Sequence, residues 1–136
     1  MKYTKYDDLY FDILDITAGP DDDPNFSSLP EAAQCLYFAA LFDMEILNGG
    51  LLQFFENCTN ASALPISQSL RTVGLTEMAD LYDVFTAEQG VDVSHPSELS
   101  AAATDEFDDA YVNLWEKCNF QKIMLEYANA HPEAFQ

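Results

Sequence analysis

The segment from about residue 30 to residue 47 constrains the fold of this chain most. Its apolar residues, among them Leu36, Leu41 and Phe42, recur around most of a helical circumference instead of along one stripe. A helix that is apolar on nearly all sides has to be surrounded by other elements. Pro30 suits the first turn of such a helix, because the amide hydrogen that proline lacks would have no partner there. The segment therefore predicts a central, buried helix.

Amphipathic stretches on both sides of this segment predict the helices that surround it. In about residues 4–17 the apolar positions recur three and four apart and include Leu9, Ile13 and Leu14. Further helices are predicted over about residues 51–55, 64–73, 76–87 and 120–130, with another that begins at a Thr104 N-cap. Residues 89–96 are predicted to form a loop, after which Ser97 caps a short helical piece. The predicted fold class is all-α, a single compact multi-helix bundle of about six to seven helices.

The length of the chain favours one domain. It has 136 residues, of which 49% are hydrophobic, and no Pro-, Gly- or Ser-rich stretch is long enough to separate two cores. The whole chain, residues 1–136, is therefore predicted to be one acidic helical domain. Residues 1–28 supply its N-terminal helix and an acidic connector.

The charge of the chain is strongly one-sided. Twenty-four Asp and Glu residues face five Lys and Arg residues, which gives a net charge of −19 and a pI near 4.1. Such a field repels nucleic acid phosphates and anionic membranes, and it speeds the encounter with a basic protein. The alternative interpretation is that the acidity serves only solubility. We therefore expect a basic protein as partner, with no direct nucleic acid contact and no membrane.

Carboxylates repeat along the exposed flanks of several predicted helices and in the first connector. Side chains three or four residues apart share a helix face, so each group forms a row. The candidate partner-binding residues are Asp8, Asp12, Asp15, Asp21, Asp22, Asp23, Glu77, Asp80, Asp83, Asp105, Glu106, Asp108 and Asp109.

No pattern in the sequence indicates a catalytic, cofactor or metal site. Residues 21–25 resemble the start of a calcium loop, but Phe26 stands where the sharp turn needs Gly, and Ala32 stands where a bidentate Glu is needed. The chain has no Glu-x-x-His pair, no Gly-x-Ser-x-Gly and no glycine-rich phosphate loop. We therefore expect no cofactor, no metal and no enzymatic activity.

The cysteines and the N-terminus favour a cytoplasmic location. Cys35, Cys58 and Cys118 are odd in number and form no C-x-x-C pair, so buried free thiols are expected. An acidic pair, Asp7-Asp8, stands where a signal peptide would need an apolar core.

Asn48-Gly49-Gly50 is predicted to end the central helix, because Asn and Gly tolerate the left-handed conformation of a C-terminal cap. A short helix then restarts, on which Gln53 and Asn57 lie four residues apart and can hydrogen-bond across the corner. The residues of this corner motif are Asn48, Gly49, Gly50, Gln53, Phe54, Phe55 and Asn57.

The corner motif, together with Leu29-Pro30-Glu31-Ala32-Ala33, resembles the bacterial DNA-mimic protein family of acidic all-helical domains. The similarity continues to the run from Tyr127 to Phe135 and so defines a family-like helical core over residues 29–136. Leu47 departs from the family pattern, which often has a second Asn there. The resemblance implies an all-helical fold, a homodimer, and an acidic surface that imitates DNA toward a transcription factor.

These observations leave three hypotheses in two function classes, two for a binding protein and one for an enzyme. The leading hypothesis is an acidic interaction module, a DNA mimic that occupies the basic DNA-binding surface of a transcription factor or other DNA-binding protein. An immunity or antitoxin protein that covers a basic nuclease toxin needs the same surface and is the first alternative. A metal-dependent hydrolase with acidic ligands is the second.

Overall fold

Six α-helices account for most of the structure. The computed structural model describes residues 2–58, 60–89 and 98–136, and no strand occurs among them. The helices are α1 (Tyr6–Ile16), α2 (Glu31–Asn57), α3 (Ile66–Val73), α4 (Thr76–Gln89), α5 (Ala101–Cys118) and α6 (Phe120–Ala130). Short 3-10 turns lie at Phe26–Ser28, Ala61–Ala63 and Pro132–Phe135. The all-α prediction is confirmed.

The helix α2 is the centre of the core, as its sequence predicts. It packs against α1, α3, α5 and α6, and its side chains are buried on several faces. Phe42 is fully buried, and its ring centroid lies 5.1 Å from that of Phe54 and 5.0 Å from that of Tyr82. Edge-to-face contacts of this kind add to the stabilisation from apolar burial. Leu47, which the prediction placed within this buried helix, is instead 47% exposed.

By length and composition α2 also resembles a membrane-spanning helix. Its mean hydropathy is 1.4 over the most apolar window, yet 61% of that window is buried by the rest of the protein. A helix that is apolar all round and covered by its neighbours has the character of a core helix.

The break predicted at the corner motif is present, whereas one helix start differs from the prediction. Two helical segments meet at Gly50, whose backbone is not helical, and the second segment runs to Asn57, two residues beyond its predicted end. The start of α5 was predicted wrongly, since Ser100 is the N-cap and its Oγ accepts a hydrogen bond from the amide of Ala103 at 3.3 Å. Thr104 is instead buried inside α5. The loop predicted beyond Gln89 and the Ser97 cap lie outside the described residues.

A kink at Gly50 lets α2 continue through the corner motif. Gly50 has φ 88° and ψ 177°, which is outside both the helical and the left-handed regions, so the predicted left-handed cap is wrong. Only glycine adopts this conformation without strain. A Cβ atom at position 50 would also overlap the carboxylate of Asp108 on α5. The chain therefore needs a glycine here for two independent reasons.

The two ends of the chain lie together. The Tyr3 amide donates to Asn129 Oδ1 and the Asn129 side chain donates to the Tyr3 carbonyl, each at 2.9 Å. The Tyr3 ring packs edge-on against Phe135, with centroids 5.3 Å apart. Phe135 thus packs back onto the N-terminal segment.

Candidate functional site

The acidic row on α1 has two exposed carboxylates and one engaged carboxylate. Asp8 and Asp15 are exposed, whereas Asp12 is half-buried and accepts a hydrogen bond from the Tyr3 hydroxyl at 2.6 Å. Lys2 Nζ also lies 3.9 Å from Asp12 Oδ2. Asp12 therefore tethers the N-terminal segment, and Asp8 and Asp15 are the carboxylates that this row offers to a partner.

The same helix carries exposed apolar residues. Leu14, which the sequence placed on the buried stripe, is 48% exposed, and Phe11 is 62% exposed. Leu9 and Ile13 are fully buried, so only part of the predicted stripe faces the core.

The acidic connector divides in a similar way. Asp21 and Asp22 are exposed. Asp23 accepts hydrogen bonds from Thr17 Oγ1 at 2.6 Å and from the Asn25 amide at 2.9 Å. These bonds hold the pKa of Asp23 below its usual value, since they favour the ionised form. Asp23 thus shapes the connector, while its two neighbours remain available.

On α4 part of the predicted charge is already paired with a cation. Arg71 Nη2 lies 2.7 Å from both Asp80 Oδ1 and Asp83 Oδ2, and Ser67 Oγ also donates to Asp83 at 2.8 Å. The two carboxylates raise the pKa of Arg71, chiefly through the hydrogen bond with Asp83. Glu77 is exposed and accepts a hydrogen bond from the Cys118 thiol at 3.6 Å. This face therefore offers a basic partner less free charge than its sequence suggests.

Of the four candidate carboxylates on α5, three are exposed and one has a structural role. Asp105, Glu106 and Asp109 are exposed, whereas Asp108 is half-buried against the kink of α2. Asp108 Oδ1 accepts a hydrogen bond from the Leu51 amide at 2.8 Å and so caps the helical segment that follows Gly50. Burial raises the pKa of Asp108, although the hydrogen bond from Leu51 acts in the opposite direction.

The corner motif is organised around Glu45, which the sequence analysis did not single out. Glu45 is 7% exposed, and its Oε2 accepts hydrogen bonds from Gln53 Nε2 at 2.9 Å and from Asn57 Nδ2 at 3.2 Å. Gln53 and Asn57 thus bond across the corner as predicted, but they meet at a carboxylate and not at each other.

A second buried acid, Asp43, was also missed. It is 5% exposed, and its Oδ1 accepts a hydrogen bond from the Tyr111 hydroxyl at 2.7 Å. Burial raises the pKa of Asp43 to about 6, and the hydrogen bond from Tyr111 offsets part of that effect. The sequence could have indicated this, because an acidic residue within a helix that is apolar on all sides is expected to be buried.

Asp43 makes the stability of the protein depend on pH. Its pKa is about 6 in the folded state against 3.8 normally, so the folded protein binds more protons between these values and stability falls as pH rises through this window. Asp43→Asn keeps an acceptor for Tyr111 and removes the charge. We expect this variant to exceed the wild type by about 1–2 kcal/mol at pH 7.5, with the difference lost near pH 4. Urea unfolding at both pH values measures it, with Asp15→Asn as the matched control. A destabilised variant at pH 7.5 would contradict the assignment.

The predicted surface residues are not gathered into one cleft. They lie on α1, the connector, α4 and α5, and among the described residues no three His, Cys, Asp or Glu side chains are close enough to hold a metal ion. The structure thus shows exposed helix faces that carry separate carboxylates. The exposed carboxylates on α1, the connector and α5 have the fewest hydrogen bonds and ion pairs within the protein.

The fold and these faces define an acidic, all-helical protein that presents carboxylates on the outer sides of a helical bundle. The model of the DMP19-like protein family matches residues 27–131. The chain belongs to this family, which is a family of DNA-mimic proteins. The matched range contains α2 with its corner motif, whereas α1 and the turn at Pro132–Phe135 lie outside it. No curated protein and no solved structure matches the chain.

Proposed function

We propose that this protein is a DNA mimic that occupies the basic DNA-binding surface of a DNA-binding protein such as a transcription factor. The observation that carries the proposal is the family match over residues 27–131, in a chain with a net charge of −19. The exposed carboxylates of α1, the connector and α5 support it, because a basic groove attracts charges that are not already neutralised.

The spacing of the exposed carboxylates is compatible with duplex phosphates. Asp8 and Asp15 lie seven residues apart on one helix, which is a rise of about 10.5 Å at about 1.5 Å per residue. Phosphates on one strand advance about 3.4 Å per nucleotide along the axis, so this rise is close to that of about three phosphates. Asp105 and Asp109, four residues apart on α5, span about 6 Å, close to about two phosphates.

Affinity capture followed by competition tests the proposal. The tagged protein is used as bait in a lysate of its native host, and the captured protein is then offered its own duplex DNA. We expect the duplex and this protein to exclude each other, and the complex to weaken as salt rises. A captured protein that binds both at once would overturn the proposal. Capture of a nuclease toxin would instead support the immunity alternative.

We also propose that the protein acts in the cytoplasm as a homodimer. The exposed apolar side chains of Phe11 and Leu14 support self-association, since they leave apolar surface in water on the outer side of α1. Sedimentation equilibrium of the full chain measures the oligomeric state, and a monomer at all accessible concentrations would refute this part of the proposal.

A further inference from the structure

A groove with an apolar floor lies between α4 and α5 on the surface of the bundle. Its volume is about 260 Å³. Phe85 of α4 and Phe107 of α5 form its floor, since both side chains line it and both are more than nine-tenths buried. Their ring centroids lie 5.5 Å apart in an edge-to-face arrangement. The floor is therefore made of packed aromatic rings that belong to the core.

The walls of the groove are also apolar, and part of them is exposed. On α5 the small side chains of Ala103 and Ala110 line the groove on either side of Phe107 along the helix. On α4 Leu81 and Val84 line it, and Val84 is 54% exposed. A valine exposed to this extent beside further apolar side chains leaves apolar surface in water that a partner can bury.

The charged groups that line the groove within the described part of the chain are all acidic. They are Glu88 of α4 and Glu106 of α5, and both are exposed. No ion pair among the described residues includes either of them. Charge complementarity therefore favours an occupant that brings cations to the rim as well as apolar side chains to the floor.

The length of the groove fits a helical occupant. Its lining residues extend from Leu81 to Gln89 on α4 and from Ala103 to Ala110 on α5. At about 1.5 Å per residue, each wall is about 10–12 Å long. Residues i, i+3 or i+4, and i+7 on one face of a partner helix span the same length, and amphipathic helices bind apolar grooves through anchors at these positions.

We infer that this groove binds a basic amphipathic helix, whose apolar face packs on Val84, Phe85 and Phe107 and whose Lys or Arg side chains pair with Glu88 and Glu106. The inference builds on the proposed function, because Glu106 belongs to the α5 face offered to a DNA-binding protein, and it names the kind of segment that binds there. A second copy of this chain is a poor occupant, since a net charge of −19 brings like charges to the rim.

Titration of the full-length, ¹⁵N-labelled protein with a synthetic Leu–Lys peptide tests the inference without the natural partner. The leucines of the peptide lie at i, i+3, i+4 and i+7, and lysines fill the other positions, so the peptide is a basic amphipathic helix. We expect saturable amide shifts at Val84, Glu106 and Ala110 that persist when salt screens the attraction between exposed charges. A peptide of the same composition whose leucines share no helix face should bind at least about tenfold more weakly. Equal binding of the two peptides would overturn the inference.

The variant that isolates the apolar contact is Val84→Thr. Threonine keeps the branched shape of valine and replaces a methyl group by a hydroxyl, which is costly to bury without a partner. We expect the Leu–Lys peptide to bind about tenfold more weakly to this variant than to the wild type. Val112→Thr is the matched control, because Val112 is an exposed valine of α5 that does not line the groove, and its variant should bind as the wild type does. Equal affinity of the Val84 variant and the wild type would refute the site.

A double variant, Glu88→Gln with Glu106→Gln, isolates the rim. It removes two charges from exposed positions, so we expect its unfolding curve to match that of the wild type. The Leu–Lys peptide should bind about tenfold more weakly to it at low salt. Glu126→Gln with Glu133→Gln removes the same charge elsewhere and should have a smaller effect. Equal losses for the two double variants would show that the peptide responds to total charge and not to the groove.

The failure of this inference can be told apart from the failure of the proposed function. If the captured protein and its duplex DNA exclude each other but Val84→Thr leaves the affinity of the captured complex unchanged, the proposed function stands and the inference fails. If the Leu–Lys peptide binds the groove of the wild type tenfold more tightly than that of Val84→Thr, the groove is supported even where the captured protein binds DNA at the same time. That second result would overturn the proposed function alone.

Discussion

Replacing Gly50 with alanine is expected to destabilise the protein by about 3–5 kcal/mol, a large part of the total stability of about 5–15 kcal/mol of an ordinary domain. The φ of 88° and ψ of 177° are strained for any residue with a Cβ atom. The new Cβ would also displace the Asp108 carboxylate and break its hydrogen bond to the Leu51 amide. Urea unfolding followed by circular dichroism measures the loss.

Gly49→Ala is the matched control for this substitution. Gly49 lies on the helical backbone of α2, where alanine is favoured over glycine by about 1 kcal/mol. The three atoms nearest to its Cβ would all belong to the Gln53 side chain, whose amide end can turn away at the cost of its hydrogen bond to Glu45. We therefore expect a net change within about 1 kcal/mol. Equal losses for the two variants would show that the kink at Gly50 imposes no special requirement.

Reversing Asp8 and Asp15 to lysine is expected to weaken the captured complex by about 10- to 100-fold at low salt. Both carboxylates are exposed on one face of α1, and Asp12 between them is left intact because it holds Tyr3. The two lysines would be repelled by the same basic groups of the partner that attract Asp8 and Asp15. Titration calorimetry at low and high salt measures the effect, which should shrink as salt rises.

A second double reversal separates the face from the net charge. Glu126→Lys with Glu133→Lys changes the net charge by the same amount at two exposed positions outside the proposed binding faces. We expect this variant to bind more tightly than the Asp8/Asp15 variant. If the two variants lose the same affinity, the complex responds to total charge alone and α1 is not part of the binding surface.

The helices were predictable because their information is local. The apolar residues of α2 recur at helical spacing on all sides, and this pattern alone indicated a buried helix. The end of α6 at Ala130 was equally predictable, because a residue that precedes proline, here His131, disfavours the helical conformation. The error at Thr104 arose because Ser100 and Thr104 are both suitable N-caps, and only the packing of α5 decides between them.

The condition of each carboxylate could not be predicted in the same way, because it depends on distant residues. Asp80 and Asp83 belong to an acidic row in the sequence, but Arg71 on α3 forms an ion pair with both. From its sequence Asp108 is expected to be a surface acid. The kink of α2 instead places the Leu51 amide, 57 residues away in the chain, against its carboxylate. The sequence therefore identified acidic helix faces, while the structure separates carboxylates that hold the fold from those that face outward.

The contact between Asp108 and the kink also has a mechanical consequence. Asp105 and Asp109 lie three residues before and one residue after Asp108 on the same helix, so the contact that fixes Asp108 fixes the backbone that carries both of them. Charged residues on a backbone that is already fixed lose little conformational entropy when they bind a partner. The α5 face is therefore preorganised, and an encounter there would select partners by the spacing of their cations as well as by their number.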